Sequence, residues 1–458
     1  MVETTLKPNS LLVRVPPLAH VAALALAYWP VWRWYVARTG DGSDEPLGLV
    51  ALAAAICFAP RHGWLDPRCV PPLRLAAACV CTTLYLAVYD ALPSLLRGVL
   101  AVCALACVLP HRGLQRDLPL FSLLLLSLPW MATLQYVLGF PLRAATAWCT
   151  AAVLSVCGIS VEAHGTLLSW AGEQVLVDAP CSGIRMAWCT AVAASALGCV
   201  HGLPALRFLR LLHAAAGAVF AANVVRSLVL FLLETGHWPN PPWAHEATGL
   251  VCFGAALGSC VFIARVQAAR ASPLESMPPR SSASGRVALA VSALLFAVGG
   301  LAAVRPLADG HVSEVSLHAP TVVDWPSEFE GSLIERVRLH PLEERFGADF
   351  PGAFAAFTDG RRRIVFRRID QATRKVHPAE GCLRAAGFAV RPAPARRDAE
   401  SGLWAVVEAE RGGHALRVRE QIRSVDGSRW TDVSSWYWSA LLRPDGGPWT
   451  AVTVIEPQ

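Results

Sequence analysis

The patterns that usually account for cysteine are missing from this chain. Fourteen cysteines occur in 458 residues, yet none forms a Cys-x-x-Cys pair and no Cys/His cluster has zinc-site spacing. Neither a bound metal, nor another cofactor, nor a disulfide framework is therefore expected. An excess of one charge is missing from the carboxyl-terminal third. From Arg305 onward 21 basic residues stand against 21 acidic ones, so the formal +6 arises wholly upstream. A balanced tail, and basic residues confined to short loops between apolar runs, argue against nucleic acid as a partner. A cleavable signal is not visible either. The first apolar run, Leu18 to Val36, contains Trp, Tyr and Arg33 and no small-residue cleavage site, so it reads as a retained helix. There is no internal repeat.

What is present is apolarity, and it is unevenly placed. Residues 17–266 contain repeated runs near the length that crosses a bilayer. Candidate spans are 17–36, 47–60, 73–92, 96–110, 118–138, 184–203, 208–233 and 245–266, with one more at 287–304. Basic residues mark the loops 61–74, 111–117 and 204–210 and the linker 265–286, whereas 39–46 carries Asp41, Asp44 and Glu45. Positively charged loops stay inside, which puts the amino terminus in the cytoplasm and the carboxyl terminus outside. Residues 142–158 are apolar enough to be another span, but counting them would reverse the helices around them. The stretch 140–158 is therefore expected to be an amphipathic or re-entrant segment on the outer face. Val161 to Val177 then alternates like a short hairpin, with Gly165 and Gly172 at turns.

The expected fold is a polytopic α-helical membrane bundle of eight core spans plus one, followed by a small soluble α+β domain. Its divisions are 1–270 for the bundle, 271–286 for a cytoplasmic linker, 287–304 for the added helix and 305–458 for an outer domain. Strands are expected at Ile364–Ile369, Leu403–Glu410, Ala415–Ser424 and Thr450–Glu456.

The chemistry concentrates in Asp178-Ala-Pro-Cys-Ser-Gly-Ile-Arg-Met-Ala-Trp188. Cys181 lies where an apolar helix begins, and unpaired N–H groups with the helix dipole favour a thiolate there. Arg185, one turn on, adds positive charge. Arg226, in Asn223-Val-Val-Arg226, lies about two turns inside the next helix. Burying an arginine at that depth costs about 2.5 kcal/mol or more unless it faces a cavity or partner. His245 opens the helix after that, with Glu246 beside it as a weaker candidate for orienting the ring. Thus Cys181, Arg226 and His245 come from three successive helices and meet at one membrane face. A thiol nucleophile, a proton carrier and a cation for the oxyanion or thiolate make a coherent acyl-transfer set.

On these residues the chain resembles the exosortases, bacterial membrane cysteine transpeptidases. The matching pieces are Cys181-Ser-Gly-Ile-Arg185, Asn223-Val-Val-Arg226 and His245-Glu-x-x-Gly249, with Phe140-Pro-Leu-Arg143 and Gly158, Glu162 and Gly165 before them. The resemblance covers about residues 15–270. It implies Cys181 as nucleophile, Arg226 as stabiliser and His245 as third catalytic member, with Arg185, Asn223 and Glu246 supporting. It also implies protein substrates with a C-terminal PEP-CTERM-type sorting signal, cleaved at the outer face of the inner membrane and transferred to a surface acceptor. The tail, through Trp325-Pro, Pro341-Leu-Glu-Glu-Arg-Phe, Phe357-Thr-Asp-Gly-Arg and His377-Pro-Ala-Glu-Gly-Cys382, resembles the periplasmic exosortase-associated proteins. His377 and Cys382 stand as a possible second reactive pair, or equally as a surface histidine and a packed cysteine. The competing reading is a polytopic transporter or an assembly scaffold for exopolysaccharide export. A transporter places its polar residues near the bilayer midplane in paired halves, and here they cluster at one face. Partners beyond the lipid bilayer and the signal-bearing substrates, and the oligomeric state, are not legible.

Overall fold

A computed structural model of the chain describes residues 17–40, 47–62, 70–89, 92–109, 114–171, 173–177, 179–270, 285–308, 323–339, 343–344, 350–373, 375–398, 402–442 and 446–458. The basic linker expected at 271–286, and the Pro341 to Phe346 part of the tail motif, lie largely outside them.

The first half is helical: α1 (Pro17–Ala27), α2 (Trp29–Gly40), α3 (Leu47–Phe58), α4 (Pro72–Ala87), α5 (Ser94–Val108), α6 (Leu114–Leu126) and α7 (Met131–Val156). A three-stranded antiparallel meander follows, β1 (Glu162–His164), β2 (Leu167–Trp170) and β3 (Glu173–Leu176). Then come α8 (Ile184–Val200), α9 (Ala205–Glu234), α10 (Ala244–Ala269) and α11 (Gly285–Ala308). By length and composition α7, α9, α10 and the Val287–Val304 part of α11 can each cross a membrane, and the other apolar helices are shorter. On α10 the apolar side chains Leu250, Val251 and Phe262 face outward rather than into protein. Such a surface suits lipid, where a helix satisfies its own backbone groups. The helix α11 packs into the amino-terminal helices, with Leu295 and Ala302 in one core with α1, α4 and α5. His20 Nε2 lies 2.9 Å from Ser292 Oγ, and Trp29 Nε1 donates to the Ala303 carbonyl.

Three expected boundaries are corrected. The segment 118–138 is not one helix: α6 stops at Leu126 and α7 starts at Met131, with Pro129 between them. A residue before proline avoids the helical region, which ends α6 there. Residues 142–158 are not a separate segment either, because Met131–Val156 is one helix of 26 residues running through Pro141. The first expected span is likewise split, at Tyr28 ahead of Pro30.

The tail is one antiparallel sheet in the order β6 (Glu335–Val337), β7 (Gly352–Thr358), β8 (Arg363–Ile369), β13 (Trp449–Pro457), β11 (His414–Ser424), β10 (Gly402–Arg411) and β9 (Ala389–Asp398). A short β12 (Arg429–Trp430) also pairs with β11, and β4 (Glu328–Phe329) with β5 (Ser332–Leu333) forms a hairpin. Period-2 alternation sends Ile364, Phe366, Val452 and Val454 to one face with Phe329 and Trp404. Ile369, Ile422, Trp449 and Ala451 face the other way, around Trp436. All four expected strands are present, as β8, β10, β11 and β13; β4 to β7, β9 and β12 are additional. Among the described residues the domain also contains the helices α12 (Ala379–Ala385) and α13 (Val433–Leu442).

The tail meets the bundle on α7, and proline explains where. Pro141 has no N–H, so the Val137 carbonyl four residues earlier has lost its helical donor. Trp438 of α13 supplies one, its Nε1 donating to that oxygen at 2.7 Å. The Phe140 N–H donates to Ser434 Oγ at 3.0 Å, and Tyr136 Oη to the Thr373 carbonyl at 2.8 Å. Beside them Arg143 Nη2 pairs with Asp432 at 2.7 Å. Arg143 is 2% exposed. A charge at that depth requires such a partner.

Candidate functional site

The nucleophile candidate sits in a short 3₁₀ turn, Ala179–Ser182, between β3 and α8. The helix starts at Ile184, as expected from the span 184–203, with the thiol just ahead of it. The N-cap of α8 is Gly183, in a left-handed conformation with φ +73°, so Cys181 lies two residues ahead of the cap. Glycine is needed at the cap for two reasons. A side chain is strained at that φ, and a Cβ would lie 3.1 Å from Asn223 Cγ.

Asn223 is buried in α9 and faces the turn. Its Nδ2 donates to the Cys181 carbonyl at 2.9 Å and to Thr146 Oγ1 of α7 at 3.2 Å. Ser182 Oγ donates to Gln135 Oε1, also on α7, at 3.2 Å. Arg143 Nη1 reaches the Val177 carbonyl at 3.5 Å, four residues before the thiol. The turn is thus tied to α9 on one side and to α7 on the other. Those ties fix the backbone of residue 181.

Cys181 and His245 line one cavity of about 20 Å³, with Ser227 and Glu234 as its other polar side chains. Leu168 and Val175 of the meander, with Leu230 and Phe231 of α9, close it with apolar surface. A volume near 20 Å³ holds about one water-sized group. It is a slot at which one reacting atom and the thiol can meet, and the remainder of a polypeptide must lie outside it. Cys181 is buried, whereas His245, at the start of α10, is exposed on its other side.

Arg226 stands behind the imidazole. Its Nη2 is 3.5 Å from His245 Nε2. A guanidinium only donates, so this contact favours the tautomer with the proton on Nδ1. Gly249, one turn along α10, faces the guanidinium: a Cβ there would lie 3.6 Å from Arg226 Nε, an ordinary contact distance. The boxes noticed in the sequence therefore have separate tasks. Asn223 and Gly183 form the contact between α9 and the turn, and Arg226 and Gly249 form the contact between α9 and α10.

Of the six residues singled out in the sequence, Cys181 and His245 share a cavity, Arg226 touches His245, and Asn223 holds the backbone of Cys181. Arg185 is exposed on α8. Glu246 is exposed and makes no hydrogen bond to the His245 ring among the described residues. Sequence reasoning missed Gln135, Thr146, Ser227 and Glu234, and quoted Arg143 in the Phe140-Pro-Leu-Arg143 piece without giving it a role. The available signal was Gln135, Arg143 and Thr146 at helical spacing in an apolar helix, which marks one face. No group of three or more metal-ligating side chains occurs among the described residues.

Comparison with known proteins adds one match. Residues 19–262, more than half of the chain, match the family described as Transmembrane exosortase (Exosortase_EpsH). The tail lies outside that match. No curated protein and no solved structure matches the chain.

Proposed function

The chain belongs to the transmembrane exosortase family, multi-pass membrane proteins that act as cysteine transpeptidases in protein sorting, and from that premise we propose that Cys181 is its nucleophile and His245 its proton carrier. The observation that supports this most directly is the shared cavity of Cys181 and His245, backed by Arg226. In this reading the Cys181 sulfur attacks the scissile carbonyl of a C-terminal PEP-CTERM-type sorting signal. The thiol proton passes to His245 Nε2, which gives up its long 3.5 Å contact with Arg226 as it does so, the C–N bond breaks, and His245 returns the proton to the leaving amine. Arg226 supplies the positive charge that the tetrahedral oxyanion or the thiolate requires. A surface acceptor then attacks the thioester, regenerating the thiol.

Asn223 is a positioning residue, because it acts on the Cys181 backbone rather than on substrate. Arg185 and Glu246 add charge at the rim. The reaction lies on the outer face of the inner membrane, and the tail at 305–458 is a periplasmic accessory domain fused to the bundle 1–270. The tail bonds to α7 at Tyr136–Arg143 and the meander core packs on it at Ala147–Leu154, while Met131 and Leu134 at its start pack into the bundle. That supports a helix lying along this face.

The test is cleavage of a tagged protein bearing the signal, followed by gel shift at equal expression of each variant. Cys181→Ala and Cys181→Ser should both abolish processing, since a hydroxyl is far less ionised than a thiol. Arg226→Lys should be severely impaired, lacking the planar fork of donors. Full processing by Cys181→Ala would end the cysteine mechanism.

A further inference from the structure

A second thiol–imidazole pair lies in the tail. Cys382 Sγ is 3.0 Å from His377 Nε2. His377 Nδ1 is 2.9 Å from the Lys375 carbonyl oxygen. A carbonyl only accepts, so Nδ1 carries the proton and Nε2 offers its lone pair to the thiol. Nucleophile, base and orienting group thus stand in the order that covalent catalysis uses.

The segment holding the imidazole is fixed from the sheet by buried charges. Arg367 Nη1 of β8 donates to the His377 carbonyl at 3.1 Å, and its Nη2 to Glu420 at 3.0 Å and Thr453 Oγ1 at 2.9 Å. The other oxygen of Glu420 accepts from the Ala379 N–H at 2.7 Å. The carbonyl before Pro378 and the N–H after it are therefore bound by the two halves of one ion pair. Desolvating such a pair is costly, and what it fixes is the approach of His377 to the start of α12, the helix that carries Cys382.

Both reactive side chains are only partly buried. Burial pushes the Cys382 thiol up; Arg367 pulls it down, while Glu420 and Glu343 oppose that pull. Burial pushes the His377 imidazole down; its bond to Lys375 and the Glu420 charge oppose this, and Arg367 reinforces it. The resting pair is neutral. Disulfide exchange requires a thiolate and is disfavoured there, whereas attack on a carbonyl with concerted proton transfer to the imidazole is favoured.

We propose that Cys382 and His377 form a second acyl-transfer site, which takes acyl groups from thioesters. The Cys382 sulfur bonds to the acyl carbon and the donor's C–S bond breaks. The Cys382 proton moves to His377 Nε2 and on to the departing sulfur, with no change of oxidation state. The donor is either a free thioester or the thioester on Cys181, and the second source rests on the function proposed above.

The test uses the full chain carrying Cys181→Ala, incubated with the acetyl thioester of N-acetylcysteamine and analysed by peptide mass spectrometry. Cys382 should acetylate about tenfold or more faster than Cys157, an exposed thiol of the same chain. His377→Gln should slow Cys382 by about a hundredfold. In the chain retaining His377, the rate should level off once the imidazole is neutral. Labelling of Cys382 no faster than Cys157 overturns the proposal, as does a rate that climbs tenfold per pH unit beyond pH 9. The second outcome is read without the His377 variant, so it stands even where that variant misfolds. With the parent chain and a signal-bearing protein, cleaved protein found on Cys382 identifies Cys181 as the donor. Its absence while the small probe still labels Cys382 identifies free thioesters.

Discussion

Removing the charge of Asp432 should loosen the tail from α7, and the structure sets the size of the effect. Arg143 has 3% of its side chain exposed and Asp432 19%, at 2.7 Å. Taking one partner from such a pair leaves the other charge buried and costs 3–5 kcal/mol. The low end applies here, because Arg143 keeps its bonds to the Gly139 and Val177 carbonyls. About 3 kcal/mol corresponds to about a hundredfold rise in the undocked fraction. Asp432 has a second task, since it precedes α13 and accepts from the Ser435 N–H at 2.9 Å. Asparagine caps a helix as well as aspartate does, whereas alanine adds about 1 kcal/mol of lost capping.

Asp432→Asn therefore isolates the ion pair, and Asp432→Ala reads pair plus cap. The assay is hydrogen exchange of α13 and of residues 136–143 in the full chain, held in lipid nanodiscs. Exchange should accelerate about a hundredfold in Asp432→Asn. The double variant Arg143→Met with Asp432→Leu should come close to the parent, because replacing both charges by apolar groups is often neutral. Parent-like exchange in Asp432→Asn would refute the reasoning, since it would mean that Arg143 is solvated without its partner.

Three further outcomes follow from single positions. Gly183→Ala forces a side chain into φ +73° and against Asn223; processing should fall about tenfold or more, for a strain of about 1–2 kcal/mol, with membrane insertion unchanged, and full activity would count against the turn as the site. Burial opposes ionisation of Asp359, but the N–H groups of Arg361 and Arg362 and the Arg362 guanidinium outweigh it and hold the carboxyl down to about 2. That value lies below the unfolded one near 3.9, so its contribution is complete above about pH 4 and is lost as pH falls toward 2; Asp359→Asn should flatten this acid limb in the melting temperature of the tail, and an unaltered limb would refute the assignment. Phosphatase fusions should be silent after Arg280 and active after Gly310, both outside the described residues, and the opposite result at either would sink the proposed orientation.

What was legible in the sequence follows from range. The three boxes were legible because Cys181, Asn223, Arg226 and His245 lie on consecutive elements joined by short connections, so helix ends alone bring them to one level. The tail strands Ile364–Ile369 and Thr450–Glu456 were legible because one buried face imposes period-2 alternation. The edge strand β9 was not, since Pro392 and Pro394 interrupt its pattern and proline normally demotes a strand. The start of α8 at Ile184 was legible from the apolar run, whereas the 3₁₀ turn that holds Cys181 and the positive φ of Gly183 were not, since both depend on the packing of Asn223 against the turn.

The helix α7 was misread for a reason that leads to the last prediction. Pro141 and Arg143 look like a boundary in an apolar run, because one breaks the hydrogen-bond ladder and the other is costly out of water. Both become acceptable only with Trp438, Ser434 and Asp432, which lie about three hundred residues later. No local window contains that information. The family match ends at residue 262, so this chain meets the needs of a helix inside the matched region with groups outside it. A chain ending at residue 304 should then leave the Val137 carbonyl and the Arg143 charge without those partners. Arg143 and Gln135 also hold the turn bearing Cys181, so processing of a tagged substrate should fall even though every proposed catalytic side chain remains. Co-expression of residues 305–458 as a separate polypeptide should restore part of the activity, and the same piece carrying Asp432→Asn should restore less. Undiminished processing by the truncated chain would show that the turn is held without the tail, by Asn223 of α9 and Gln135 of α7.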